Sequence, residues 1–210
     1  MSEAETRALL VELLRDHHAR GWITGTGGGI CGPADGGGLL VAPSGVHKER
    51  VAPEDLFTID PTDARVLAAP ARADLRPSEC GPVFAAIARG RGARSVIHTH
   101  ALAAVLFGDL AAGGDSVPVA QLEMLKGIRG RANTDVHAVP VIANAPREID
   151  LVPAVERTLA DPRFADAFAI VVADHGVFAW GADAWEAKRH IETYQYLFEA
   201  TLARRRWRAG

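Results

Sequence analysis

The spacing of apolar positions changes several times along the chain, and each change predicts an element. Leu9, Leu10, Leu13 and Leu14 recur at helical spacing behind Ser2-Glu3-Ala4-Glu5, a capping-box signature, so a helix is predicted to about His18. A glycine-rich segment, Thr24-Gly25-Thr26-Gly27-Gly28-Gly29-Ile30, comes next. A turn over Ala34-Asp35-Gly36-Gly37-Gly38 then joins two short strands, the second being Leu39-Leu40-Val41-Ala42. Pro77-Ser78-Glu79 marks a helix start, with the helix running to about Ala88 and Gly90 as its stop. Ser95 to His100 reads as a strand, Ala101 to Phe107 returns to helical spacing, and Val139-Pro140-Val141-Ile142 reads as a short strand. Ile149 to Leu159 predicts a helix that tolerates Pro153 only in its first turn. The unbroken apolar run Phe168-Ala169-Ile170-Val171-Val172 predicts a buried strand. Asp174-His175-Gly176 then turns into Val177-Phe178-Ala179-Trp180, a hairpin closed by Gly181. Asp183 is placed to cap a long final helix carrying Trp185, Ile191, Tyr194, Leu197, Phe198 and Leu202.

Hairpins at both ends break any clean βαβ alternation. The fold class expected is α/β, with a mixed, largely antiparallel sheet and helices on both faces. The chain has 210 residues, 48% of them hydrophobic, enough for one substantial core, so a single domain over 1–210 is expected. A formal net charge of −3 with no dominant basic face argues against a nucleic-acid partner. Arg204-Arg205-Arg206, with Arg208, reads as a solvated helix end that complements the dipole. Cys31 and Cys80 are too few for a disulfide framework and suit a reducing compartment. The start MSEAETRALL lacks a basic region followed by an apolar core, and no apolar run reaches the roughly 20 residues of a membrane helix. A soluble, cytoplasmic protein without a membrane partner is expected.

The chemistry starts with Val96-Ile97-His98-Thr99-His100. Residues two apart on a strand share a face, so both imidazoles can reach one ion while Thr99 points away. On that spacing alone, metal ligation and an exposed strand end are equal readings. His175 follows a second buried strand, and strand ends gather at one sheet edge. Three imidazoles suit zinc with an open position. His17, His18, His47, His137 and His190 read as ordinary surface residues. Two carboxylates are candidates for acid/base work, Glu79 at a helix start and Glu123 beside Lys126. Helix-dipole preference accounts equally well for the first, and an i,i+3 ion pair on a solvated face for the second. Gly25 to Gly29 can offer backbone N–H groups to an anion, and Ala42-Pro43-Ser44-Gly45 adds a hydroxyl. Plain turns explain both segments equally.

Taken in order, GWITGTGGGI, VAPSGVHKER, SEC, VIHTH, QLEMLKGI, VPVIANAP and DHGVFAWG resemble the methylthioribulose-1-phosphate dehydratases. These form a branch of the zinc-dependent class II aldolase and ribulose-phosphate 4-epimerase superfamily. The likeness runs from about residue 8 to about residue 204. His-x-His with a distant His-Gly marks the superfamily. Related sugar-phosphate aldolases carry Ser-Gly-Asn where this chain has Thr26-Gly27-Gly28. The resemblance implies an α/β/α sandwich, a homotetramer with active sites near subunit interfaces, and one Zn2+ per subunit on His98, His100 and His175. It implies that Glu123 is the acid/base residue, with Glu79 at the position of the aldolases' catalytic glutamate, and that Cys80 lines the substrate pocket. The implied substrate is a phosphosugar, held by Gly27, Gly28, Ser44 and Lys126. The implied reaction, in methionine salvage, is dehydration of 5-methylthioribulose 1-phosphate through a zinc-stabilised enediolate. A sugar-phosphate aldolase or 4-epimerase, and a non-catalytic module like the adducin head, are the competing expectations.

Overall fold

A computed structural model describes residues 1–209. Its elements, in chain order, are α1 (Glu3–Ala19), β1 (Gly29–Pro33), β2 (Leu39–Val41), β3 (Phe57–Ile59), β4 (Val66–Ala68), α2 (Gly81–Arg91), β5 (Ser95–Thr99), α3 (Leu102–Asp109), β6 (Ser116–Ala120), β7 (Val136–Ile142), α4 (Glu148–Ala160), β8 (Ala169–Val172), β9 (Gly176–Gly181) and α5 (Ala184–Ala209). The strands form one sheet in the order β4-β3-β2-β1-β5-β9-β8-β7-β6. Every neighbouring pair is antiparallel except β7 with β8.

Strand alternation builds two separate cores. Along β8 and β9, Ala169, Val171, Val177 and Ala179 pack on one side with Leu10 and Leu14 of α1, Phe107 of α3 and Phe198 of α5. Ile170, Val172, Phe178 and Trp180 pack on the other with Val83, Phe84 and Ile87 of α2 and Leu151, Val155 and Leu159 of α4. This gives the expected α/β/α layering. Among the described residues no helix is long and apolar enough to cross a membrane.

The end signals act as predicted at several places. The Ser2 hydroxyl accepts the Glu5 N–H at 3.3 Å, and the Glu5 carboxylate accepts the Ser2 N–H at 2.7 Å. Asp183 Oδ1 accepts the Glu186 N–H at 2.8 Å. Three strands escaped the pattern. β3 and β4 have three residues each, and all of β4 is exposed on the sheet edge. β6 is the opposite edge, where Pro118 costs no inner ladder bond. Helix α2 starts at Gly81, because Ser78 to Gly81 form a turn closed by the Gly81 N–H on the Ser78 carbonyl, and it ends at the left-handed Gly92 (φ 61°). Gly90 lies inside α2 because a Cβ there would meet Leu159 Cδ1 at 2.9 Å, so its missing side chain lets α2 and α4 pack closely. Pro153 stands six residues into α4, past the first turn, and leaves the Ile149 carbonyl without its helical donor.

His17, His137 and His190 are buried, which corrects their reading as surface residues. The His137 ring nitrogen Nε2 pairs with the Tyr194 hydroxyl at 2.8 Å. His190 Nδ1 donates to the Trp180 carbonyl at 2.6 Å, and its ring stacks on Phe168. His17 continues the Leu10–Leu13–Leu14 stripe of α1 and lies against Trp22, with centroids 5.5 Å apart. His18 and His47 remain at the surface near Glu49.

Candidate metal centre and cleft

Two strand ends build the centre. β5 pairs with β9 so that Thr99 lies opposite Val177, which brings the turn before β9 to the point where β5 ends. His98 and His100 leave β5 there, and His175 sits in the β8–β9 turn beside Asp174, whose φ is 55°. Gly176 is obligatory, since a Cβ would collide with the Thr99 carbonyl. Thr99 points to the opposite face, and its hydroxyl accepts from Gln195 at 3.0 Å.

The three Nε2 atoms converge. His100 to His98 is 2.9 Å, His175 to His100 is 3.1 Å and His98 to His175 is 3.2 Å. The opposite ring edges fix two tautomers. His98 Nδ1 donates to the Val177 carbonyl at 3.0 Å and His175 Nδ1 to Asn144 Oδ1 at 3.0 Å, which leaves their Nε2 lone pairs facing inward. The His98 ring stacks on Phe178, with centroids 3.9 Å apart. Burial, and then the neighbouring imidazoles, push the His98 pKa far down; burial pushes His100 to about 4. Three imidazole Nε2 atoms converging on one point fit a divalent cation such as zinc.

A cleft of about 250 Å³ opens from this centre. Its glycine wall, Thr26 to Gly28, backs onto His100, and a Cβ on Gly27 would lie 2.6 Å from His100 Nδ1. The Gly27 N–H is itself bonded to the Thr24 carbonyl at 3.1 Å. Ser44, Glu79 and the buried Cys80, each singled out from the sequence, line the same cleft. Burial raises the Cys80 thiol pKa well above the ordinary range, which keeps it protonated.

Three lining residues were not singled out from sequence: Lys48, Arg76 and Glu148. Lys48 is 2% exposed; its ammonium donates to the Thr26 carbonyl at 3.0 Å and the Val46 carbonyl at 3.3 Å, and burial lowers its pKa. It stands inside the VAPSGVHKER segment, which was the available signal. Glu148 opens α4 and brings Oε1 to 3.3 Å from His175 Nε2 and 3.8 Å from His98 Nε2. An acidic residue at a helix start gave no distinctive signal.

Glu123 and Lys126 lie outside this cleft in the single chain. They pair with each other at 2.6 Å, and Glu123 also accepts from Asn133 at 2.6 Å, with the two side chains 69% and 56% exposed. Lys126 first, and Asn133 second, hold the Glu123 carboxyl below its ordinary range.

Comparison with known proteins agrees with this geometry. The chain matches the class II aldolase and adducin N-terminal domain over residues 8–202. It is 41% identical to a methylthioribulose-1-phosphate dehydratase of Osmerus mordax, across 93% of this chain and 82% of that protein. It is 39% identical to one of Mus musculus, across 94% and 83%. The l-fuculose-1-phosphate aldolase of Thermus thermophilus shares the fold, with a TM-score of 0.73 and 23% identity across 99% of each chain. The chain therefore belongs to the class II aldolase and adducin N-terminal domain family and, within it, to the group formed by the methylthioribulose-1-phosphate dehydratases.

Proposed function

We propose that this protein is a zinc-dependent hydro-lyase that converts 5-methylthioribulose 1-phosphate to 5-methylthio-2,3-dioxopentyl phosphate and water, as a step of methionine salvage in the cytoplasm. The observation that carries the reading is the convergence of three imidazole Nε2 atoms beside a buried lysine in one cleft. His98, His100 and His175 would hold the ion, one per subunit. When bound, zinc supplies Lewis acidity toward the substrate's C2 carbonyl and so acidifies the C3 proton.

The chain's own groups account for the rest. Among the described residues Lys48 meets carbonyl oxygens rather than a carboxylate, so its buried charge is best compensated by an anion from outside. Lys48 and Arg76, with the Ser44 hydroxyl, bind the phosphate, and Gly27 and Gly28 let it approach the loop. The buried thiol of Cys80 packs against the sugar without ionising.

A carboxylate takes the proton from C3, and an acid returns a proton to the departing C4 hydroxyl. The resulting enol becomes the 2,3-diketone, so one water is lost in balance. Within one chain Glu79 stands at the cleft for this role. Glu123, the family's acid/base match, and Lys126 would enter from a neighbouring subunit of a homotetramer, consistent with their exposure here.

The test is direct product analysis with 5-methylthioribulose 1-phosphate. Formation of the diketone without a short aldehyde is expected. Release of dihydroxyacetone phosphate and an aldehyde would instead make the protein an aldolase, and no turnover by the zinc-loaded protein would overturn the assignment.

A further inference from the structure

We propose that Glu148 is the fourth protein ligand of the metal, closing the coordination sphere of the resting centre. This rests on the metal-site reading given above.

Distance is the first argument. Ligand atoms on a four-coordinate ion with bonds of about 2.0–2.2 Å stand roughly 3.3–3.5 Å apart. Glu148 Oε1 lies 3.3 Å from His175 Nε2 and 3.8 Å from His98 Nε2, while the nitrogens stand 2.9 to 3.2 Å from one another. Oε1 therefore stands at ligand spacing from His175 Nε2 and close to it from His98 Nε2.

Electrostatics is the second. His98 and His175 spend their Nδ1 protons on Val177 and Asn144, so their Nε2 lone pairs face a carboxylate oxygen that is also rich in lone pairs. A cation placed between them would be attracted by all three atoms. The Glu148 side chain is only 14% exposed, and its Oε2 is buried with no hydrogen-bond partner among the described residues. Among those residues no lysine or arginine lies within 4.0 Å of it. A buried carboxylate without donors is costly, and a metal ion compensates it.

Chain placement is the third. Asn144 orients His175 and Glu148 reaches the centre four residues later, so one short segment before and into α4 supplies both contacts. The rival within reach is Cys80, whose Sγ lies within 4.8 Å of the His98 and Glu148 ligand atoms.

The test titrates zinc into metal-free protein against a chromophoric chelator. Wild type should bind one zinc per chain. Glu148→Gln should weaken binding by about 10-fold or more, and Glu79→Gln should leave the affinity within about 2-fold of wild type, far less than loss of a ligand. At saturating cobalt(II), the visible spectrum of Glu148→Gln should differ from wild type, while Glu148→Asp should keep a carboxylate-ligated spectrum with reduced affinity. Thermal melts of the metal-free variants check that each is folded. Should Glu148→Gln not fold, Glu148→Asp carries the test: wild-type zinc affinity in Glu148→Asp would overturn the assignment. Wild-type affinity and spectrum in Glu148→Gln would overturn it as well, with the histidine site intact. Absence of stoichiometric zinc in wild type would overturn the metal-site reading itself.

Discussion

Replacing Gly27 with alanine tests whether the glycine loop sets the metal centre. The new methyl would sit 2.6 Å from His100 Nδ1 and 2.9 Å from Cε1. Ordinary contact needs about 3.5 Å, so the imidazole must retreat by about 0.9 Å. Metal–ligand distances tolerate only about 0.2 Å. His100 would thus be displaced several times further than coordination allows. The expected loss is about 10- to 100-fold in zinc affinity, or about 1.4–2.8 kcal/mol. The fold should not suffer, because Gly27 is not among the residues with positive φ. A Gly→Ala change at a compatible position stabilises by about 0.4–1 kcal/mol through the unfolded chain. The metal-free variant should therefore melt at or slightly above the wild-type temperature. Chelator competition measures the zinc affinity and a melt of the metal-free protein the stability. Wild-type zinc affinity and turnover in Gly27→Ala would refute the reasoning, since His100 would then not be held against this loop.

Two further outcomes follow from buried ionisable groups. Burial lowers His17 to about 4 from 6.5, so the unfolded chain binds this proton first and stability falls as pH drops from about 6.5 toward 4. His17→Leu should remove a loss of about 2 kcal/mol at pH 5 relative to pH 7.5; urea unfolding at the two pH values measures it, and an unchanged pH dependence would contradict the burial argument. Lys48→Met should raise KM for the phosphosugar by about 10- to 100-fold, the value of a charge-assisted hydrogen bond. Steady-state kinetics check this, and an unchanged KM would place the phosphate elsewhere.

What was legible in the sequence depended on periodicity. Period two put His98 and His100 on one face, and two apolar runs ending near histidines brought in His175, because strand ends meet at a sheet edge. The layered fold was legible for the same reason, since β8 and β9 supply alternate residues to two cores. Edge strands carried little pattern, as the fully exposed β4 shows. Glu148 was illegible because a carboxylate at a helix start is what the dipole favours anyway. Lys48 was overlooked because lysine normally implies solvent, whereas here its stem crosses a buried wall. His17 had a usable signal in its spacing from Leu10, Leu13 and Leu14, all on the buried stripe of α1. Within the chain the Glu123 carboxylate meets Lys126 and Asn133 and lies outside the cleft.

The central claim is that a metal on His98, His100 and His175 drives dehydration in the cleft they border. The most direct measurement assays diketone formation from 5-methylthioribulose 1-phosphate in wild type and His98→Ala, before and after chelation and zinc return, with metal content determined on the same samples. The account predicts about one zinc per chain in wild type, activity lost on chelation and restored by zinc, and neither zinc nor activity in a folded His98→Ala protein. Full activity with full metal content in His98→Ala would contradict it.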